Sequence, residues 1–214
     1  MKKYYLPSVL LLCFVVFTVL VKFIDVQPVG TKNSLIGFAT LNLAVHNFFG
    51  EHHFWYTLTQ LFGVLAIGVA AAFACVGLVQ LIKRKSLVKV DRSVLALGFV
   101  YIAVIILYVL FEKIAINVRP VITNVRPVIT EEGLEPSYPS THTMLILTIL
   151  GTARYAVKKL LQNPKIVQIL QILCLVIMIL TVIGRLICGV HWLTDIIGGL
   201  LISTSLVSFY SFSV

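Results

Sequence analysis

Six long apolar stretches constrain this chain more than anything else in it. They run roughly over residues 5–24, 57–82, 93–112, 142–160, 167–187 and 190–210, close to the ~20 residues that a helix needs to cross a bilayer. The 214 residues are 59% hydrophobic and 12% charged, with a mean hydropathy of +1.03. A soluble domain of this length must cover itself with more polar side chains. The first stretch is long and has no small-residue cleavage site before Asp25, so it reads as a retained helix and not a signal peptide. The expectation is an all-α, polytopic membrane protein, with six transmembrane helices in one bundle and a single domain over residues 1–214.

A net charge of +9 would suggest nucleic acid for a soluble protein, but here the placement of the charges matters more. Lys2 and Lys3 precede the first span. Lys83, Arg84, Lys85, Lys89 and Arg92 fill the link between spans two and three. Arg154, Lys158, Lys159 and Lys165 surround the next link on that side. Eleven of the 17 basic residues therefore lie on one side, with Asp91 as the single acid. The positive-inside rule makes that side cytoplasmic, together with both termini, in a multi-pass protein of the cytoplasmic membrane. The clusters read as topology signals that touch anionic lipid, and no nucleic-acid partner is expected. Cys13, Cys75, Cys174 and Cys188 lie within or at the ends of spans without paired spacing. They read as packing residues. Nothing in the sequence speaks to oligomeric state.

Three segments then face outward. Residues 25–56 end in "FFGEHHFWY", where Trp55 and Tyr56 suit the headgroup level. Adjacent His52 and His53 diverge in any regular structure and make a poor shared ligand pair. Residues 113–141 contain four prolines, which exclude one continuous helix, and a perfect tandem copy, "NVRPVITNVRPVIT", over 117–130. One extra heptapeptide in a Pro-containing loop builds no stacked core. The third segment is only the turn between Arg185 and His191.

The chemistry-bearing residues gather at these outer ends. In "GRLICGVHWLTD", 184–195, His191 and Asp195 have the spacing of neighbours on one helical face. A carboxylate beside an imidazole fixes its tautomer and makes the other nitrogen a better base or nucleophile. Alone, such a pair is as often a satisfied buried pair as a site. In "YPSTHT", 138–143, Ser140 or Thr141 can cap the next helix. Its free N–H groups also make an anion site, with His142 beside it. Lys113, Arg119 and Arg126 lie on the loop leading there, although Lys113 could simply snorkel. Arginine forks and a lysine charge suit phosphate oxygens and the charge that develops in phosphoryl transfer. The joint arrangement is more specific than any of its parts.

These motifs resemble the type 2 phosphatidic acid phosphatases, which share their site with vanadium haloperoxidases. "PSTH", 139–142, matches the family's Pro-Ser-x-His. "GRLICGVHWLTD" matches its Ser-Arg-x5-His-x3-Asp, with Gly184 in place of serine. The resemblance implies that His191 is a nucleophile forming a phosphohistidine, oriented by Asp195. His142 would be the acid for the leaving group and then the base for water. Ser140, Thr141, Arg185, Lys113 and an Arg-Pro arginine would hold the phosphate. The family places six residues between that lysine and arginine; from Lys113 this chain has five before Arg119 and twelve before Arg126. Arg119 is nearer to the pattern, while Arg126 could serve if the loop folds back.

The expected function is metal-independent hydrolysis of a lipid phosphate or diphosphate at the outer face, with no cofactor. Cations already fill the phosphate-binding role, and Asp195 is the only carboxylate within the two matching motifs. Glu131, Glu132 and Glu135 are the remaining candidate metal ligands. The expected partners are membrane lipids and a lipid phosphate substrate. Undecaprenyl diphosphate is favoured by analogy, over phosphatidylglycerol phosphate and phosphatidate. A transporter would place ionisable groups near the midplane, whereas here they sit at span ends. An inactive lipid-binding relative is the third reading, kept open by Gly184 and the altered first motif.

Overall fold

The computed structural model describes residues 4–30, 33–120, 129–130 and 133–214. Six long helices carry the fold: α1 (Tyr5–Phe23), α3 (His53–Arg84), α4 (Arg92–Lys113), α5 (Thr141–Leu160), α6 (Pro164–Ile187) and α7 (Leu193–Ser213). The segment between α1 and α3 adds the hairpin β1 (Gln27–Val29) and β2 (Ser34–Ile36) and a short helix, α2 (Ala39–Phe49). A second small antiparallel pair, β3 (Ile129–Thr130) and β4 (Gly133–Leu134), lies in the loop before α5.

The helix ends follow from local chemistry. Ser140 caps α5, its Oγ accepting from Thr143 N at 3.4 Å. Asn163 Oδ1 accepts from Lys165 N at 3.0 Å, and Pro164 opens α6, where a missing N–H costs nothing. Arg84 and Gln80 both reach the Asp91 carboxylate, closing the link between α3 and α4. Span two begins four residues earlier than the apolar pattern suggests, because "HFWY" is already helical. Span six begins at Leu193, because His191 and Trp192 precede the helix.

Five of the six long helices are long and apolar enough to cross a membrane. The exception is α5, whose position explains its composition. It packs against α3, α4, α6 and α7, so its surface meets protein more than lipid. Buried threonines are tolerated there, and Thr152 Oγ1 bonds the Thr148 carbonyl at 2.8 Å. Close packing at its start needs Gly198 and Gly199 of α7. A Cβ at Gly198 would stand 2.6 Å from the Tyr138 ring, and one at Gly199 would stand 2.9 Å from Thr143 Cβ. This agrees with reading the glycine pair as a helix-packing device.

The segment between α1 and α3 forms more structure than a loop. Asn42 of α2 is fully buried. Its Nδ2 donates to Thr194 Oγ1 at 2.9 Å and to Gly37 O at 2.8 Å, and its Oδ1 accepts from Thr194 N at 3.2 Å. Asn117 joins the same cluster through Gly37 N at 3.0 Å and Thr194 Oγ1 at 3.4 Å. This amide network binds α2 to the first turn of α7 and to the loop after α4. All three meet at one end of the bundle, opposite the basic links.

Candidate active site

The turn from α6 to α7 builds the centre of this end. Gly189 takes φ +75°, turning the chain so that His191 is buried between the two helices. His191 and Asp195 do meet, but as a helix cap and not as two turns of one helix. Asp195 Oδ2 accepts from Trp192 N at 2.9 Å and lies 3.3 Å from His191 Nδ1. One carboxylate oxygen thus fixes both the start of α7 and the imidazole.

The other ring nitrogen faces Arg119. Here the loop is closed by a short antiparallel neck. Ser137 N donates to Asn117 O at 2.9 Å, Val118 bridges Pro136, and Arg119 N donates to Glu135 O at 3.0 Å. Trp192 Nε1 adds a bond to Val118 O at 2.7 Å. The neck places Arg119 Nη1 3.1 Å from His191 Nε2 and 3.3 Å from Val190 O. Since guanidinium can only donate, Nε2 is the acceptor and Nδ1 carries the proton toward Asp195. That is the tautomer a nucleophilic Nε2 requires.

Arg185, in the last turn of α6, is 1% exposed. Its Nη1 is 3.4 Å from Thr59 Oγ1, and its guanidinium stands over the Tyr56 ring, 5.8 Å from the centroid. Both partners come from α3. The same helix explains Gly184: a Cβ there would stand 2.8 Å from Thr59 Cγ2 and 2.9 Å from Trp55 Cε3. The family's serine has no room here, because α3 occupies its place.

His142 sits in the first turn of α5 with Gly63 of α3 beside it, where a Cβ would be 3.4 Å from His142 Cδ2. It is near enough to His191 to act on its charge. Burial first, then the charges of Arg119, Arg185 and His142, push the His191 pKa well below the usual 6.5. His191 is therefore neutral at physiological pH, and its Nε2 lone pair, which accepts from Arg119 here, becomes free to attack when the guanidinium turns to a phosphate.

The remaining predicted site residues are placed less centrally. Ser140 is fully buried, its hydroxyl in the α5 cap and its N–H on Asp195 O at 2.9 Å. Thr141 is half-buried at the same helix start. Lys113 ends α4 exposed to solvent, and no hydrogen bond or ion pair joins it to the site among the described residues. Arg126 falls outside the described residues, as do Glu131 and Glu132. Among the described residues, no three His, Cys, Asp or Glu side chains gather as a metal site, and the Glu135 carboxylate is engaged with Arg119.

Sequence reasoning missed Thr59, Asn42 and Asn117, and considered Glu135 only as a metal ligand. Asn117 and Glu135 carried a positional signal, since they flank the Arg-Pro and Pro-Ser motifs. Thr59 and Asn42 lie far from any motif and carried none.

The model of the PAP2 superfamily matches residues 93–213, more than half of the chain. It spans all the motif residues described above and leaves out α1, α2 and α3. Among curated proteins no sequence match is found. Among solved structures, a transmembrane PAP2-type phosphatidylglycerolphosphate phosphatase from Bacillus subtilis superposes with a TM-score of 0.63. It is 21% identical, with 99% of this chain and 94% of that one covered, so the likeness extends to the helices outside the family match. Given the matched motifs and the shared six-helix bundle, the chain belongs to the PAP2 superfamily, as a multi-pass membrane phosphatase.

Proposed function

We propose that the protein hydrolyses a lipid phosphate or diphosphate, without a metal, through a phosphohistidine on His191 Nε2. The observation that carries this reading is the opposed pair of contacts on one buried imidazole, with Asp195 on Nδ1 and Arg119 on Nε2. In the first step Nε2 attacks phosphorus and the P–O bond to the leaving group breaks. Protonated His142 gives its proton to the departing oxygen. In the second step, now neutral, His142 takes a proton from water as the water oxygen attacks the phosphohistidine. Phosphate leaves and both histidines are restored. Arg119 and Arg185 neutralise charge on the equatorial oxygens.

Apolar space beside His142 suits a lipid tail. An outer cavity of about 400 Å³ is lined by Gln60, Gly63, Ile67, Val104, Tyr108 and His142. An inner one of about 410 Å³ follows along the same faces of α3 and α4, lined by Phe73, Gly77, Leu81, Val94, Gly98 and Ile102. The two cavities are separate, since no residue of α3 between Ile67 and Phe73 lines either one. The cavity beside His142 takes the start of a tail next to the phosphoryl site, and undecaprenyl diphosphate is favoured by analogy. Phosphatidylglycerol phosphate is the second reading, supported by the likeness to a phosphatase of that substrate. The basic residues at the opposite end support cytoplasmic termini and an outward-facing site in the cytoplasmic membrane.

Purified protein in detergent with EDTA, offered undecaprenyl diphosphate, phosphatidylglycerol phosphate and phosphatidate, should release phosphate fastest from the first. Folded protein inert on all three would refute the enzyme reading, and full activity in His191→Ala would refute the nucleophile.

A further inference from the structure

Glu135 belongs to no chemical motif in this chain, yet it holds Arg119 through both its backbone and its side chain. Its carbonyl accepts from Arg119 N at 3.0 Å, and its Oε2 lies 3.0 Å from Arg119 Nε. The side-chain contact is an ion pair and not an aligned hydrogen bond. The two side chains are 10% and 27% exposed, so solvent and salt screen the pair only in part. The attachment is therefore double, through backbone and side chain, at the last rung of the neck.

We propose that Glu135 is the positioning residue for Arg119, and so helps to set the affinity of the site for a phosphoryl group. The proposal rests on the reading of His191 as nucleophile and Arg119 as phosphate ligand. Arginine has a long side chain whose freedom must be lost before its fork can grip phosphate. An anchor on Nε holds the Nη edge beside His191 Nε2. When substrate arrives, the fork has only to turn from Nε2 to the phosphate oxygens, and most of the side chain's freedom is already lost.

The carboxylate could act in an opposite way, by neutralising Arg119 and weakening its pull on the substrate anion. The two effects have different signs, so variants separate them. Glutamine keeps the length of the side chain and removes the charge that makes the ion pair. Alanine removes both. Positioning predicts that both variants weaken binding, alanine more than glutamine. Neutralisation predicts that both variants bind phosphate more tightly.

The test is steady-state kinetics on lipid phosphate, with orthovanadate inhibition as a direct probe of the phosphoryl site. Glu135→Ala should raise KM and the inhibitory orthovanadate concentration about tenfold, with kcat within about threefold, as for lost uniform binding. Glu135→Gln should raise both in the same direction but less, by about threefold, as for a partly exposed ion pair. In an Arg119→Ala background, Glu135→Ala should add less than about twofold, because residues acting as one unit are not additive. Glu135→Met, of similar volume, repeats the cycle if the alanine variant does not fold. An unchanged or lowered KM in Glu135→Ala, or the same factor in both backgrounds, overturns the proposal while leaving the site reading intact. An Arg119→Ala enzyme with unchanged KM and inhibition overturns that site reading, and this inference with it.

Discussion

Restoring the family's serine at residue 184 should damage this enzyme. A Cβ at Gly184 meets Thr59 Cγ2 at 2.8 Å and Trp55 Cε3 at 2.9 Å, and neither atom is the far end of a flexible chain. Thr59 is β-branched on a helix, and Trp55 packs over Cys188 and Val190. To admit a side chain, α3 must move off α6 by several tenths of an ångström. Overpacking of this kind costs about 1–3 kcal/mol. The same movement lengthens the 3.4 Å contact from Arg185 to Thr59, which is already near the limit of a hydrogen bond. Arg185 then loses its contact to Thr59, and kcat/KM should fall by roughly tenfold or more, given the steep cost of misplacing a catalytic group. Gly184→Ala is the control, because it introduces the Cβ without a hydroxyl and should do as much harm as serine. Adding Thr59→Ala to Gly184→Ser removes the nearer clash and should recover part of the lost stability. The assays are thermal unfolding in detergent and phosphate release. Gly184→Ser with unchanged unfolding and equal or higher kcat/KM would refute the steric account of this glycine.

Two further predictions concern the site's pH response and its support. The His191 pKa lies below the unfolded value of about 6.5 because burial and neighbouring cations oppose its charge. Below that pH the unfolded chain binds a proton that the folded one does not. The stability that neutral His191 contributes is thus lost as pH falls from about 6.5, by up to about 1.4 kcal/mol per unit. His191→Asn should flatten this part of the profile in unfolding scans from pH 7 to 5, and an equal slope in both proteins would contradict it. Asn42→Ala leaves Thr194 N and Gly37 O without their partner in a buried network, at about 1–3 kcal/mol per group. Its unfolding midpoint should drop clearly and kcat/KM should fall with it, since Thr194 lies between His191 and Asp195.

What the sequence revealed, and what it hid, divides along physical lines. The lipid-facing helices were legible because a bilayer imposes length and apolarity on each one. α5 was legible too, although it is less apolar, because Ser140 and Pro139 mark its start. α2 was hidden, since eleven residues give no span signal and its placement depends on one buried asparagine. The His191–Asp195 pair was legible from spacing, but the reason given for it was only half right. The spacing works because Asp195 caps α7, and not because both residues sit on one helical face. The role of α3 was invisible. Thr59, Tyr56 and Trp55 reach Arg185 and Gly184 across α4, β3, β4 and α5, which intervene in the chain, and no local pattern records such a contact. Lys113 was singled out by motif spacing alone, and the fold leaves its side chain exposed at the end of α4.

The duplicated heptapeptide can now be assessed by where the neck closes. Asn117, Val118 and Arg119 of the first copy are paired with 135–137, so all sequence between Pro120 and Leu134 lies beyond the closed rung. Lengthening such a loop from eight residues to fifteen costs only about 0.6 kcal/mol in closure entropy, which a folded protein tolerates easily. Deleting 124–130 should therefore reverse the duplication without harm. Thr123 would then precede Glu131 as Thr130 does now, Ile122 and Thr123 would take the place of β3, and Arg119 would keep its partners. Phosphate release should stay within about twofold of the full chain, with stability unchanged or raised by at most the same ~0.6 kcal/mol. If the deletion instead folds normally but loses activity, Arg126 or its neighbours hold the substrate, and the assignment of the phosphate contact to the first copy is wrong.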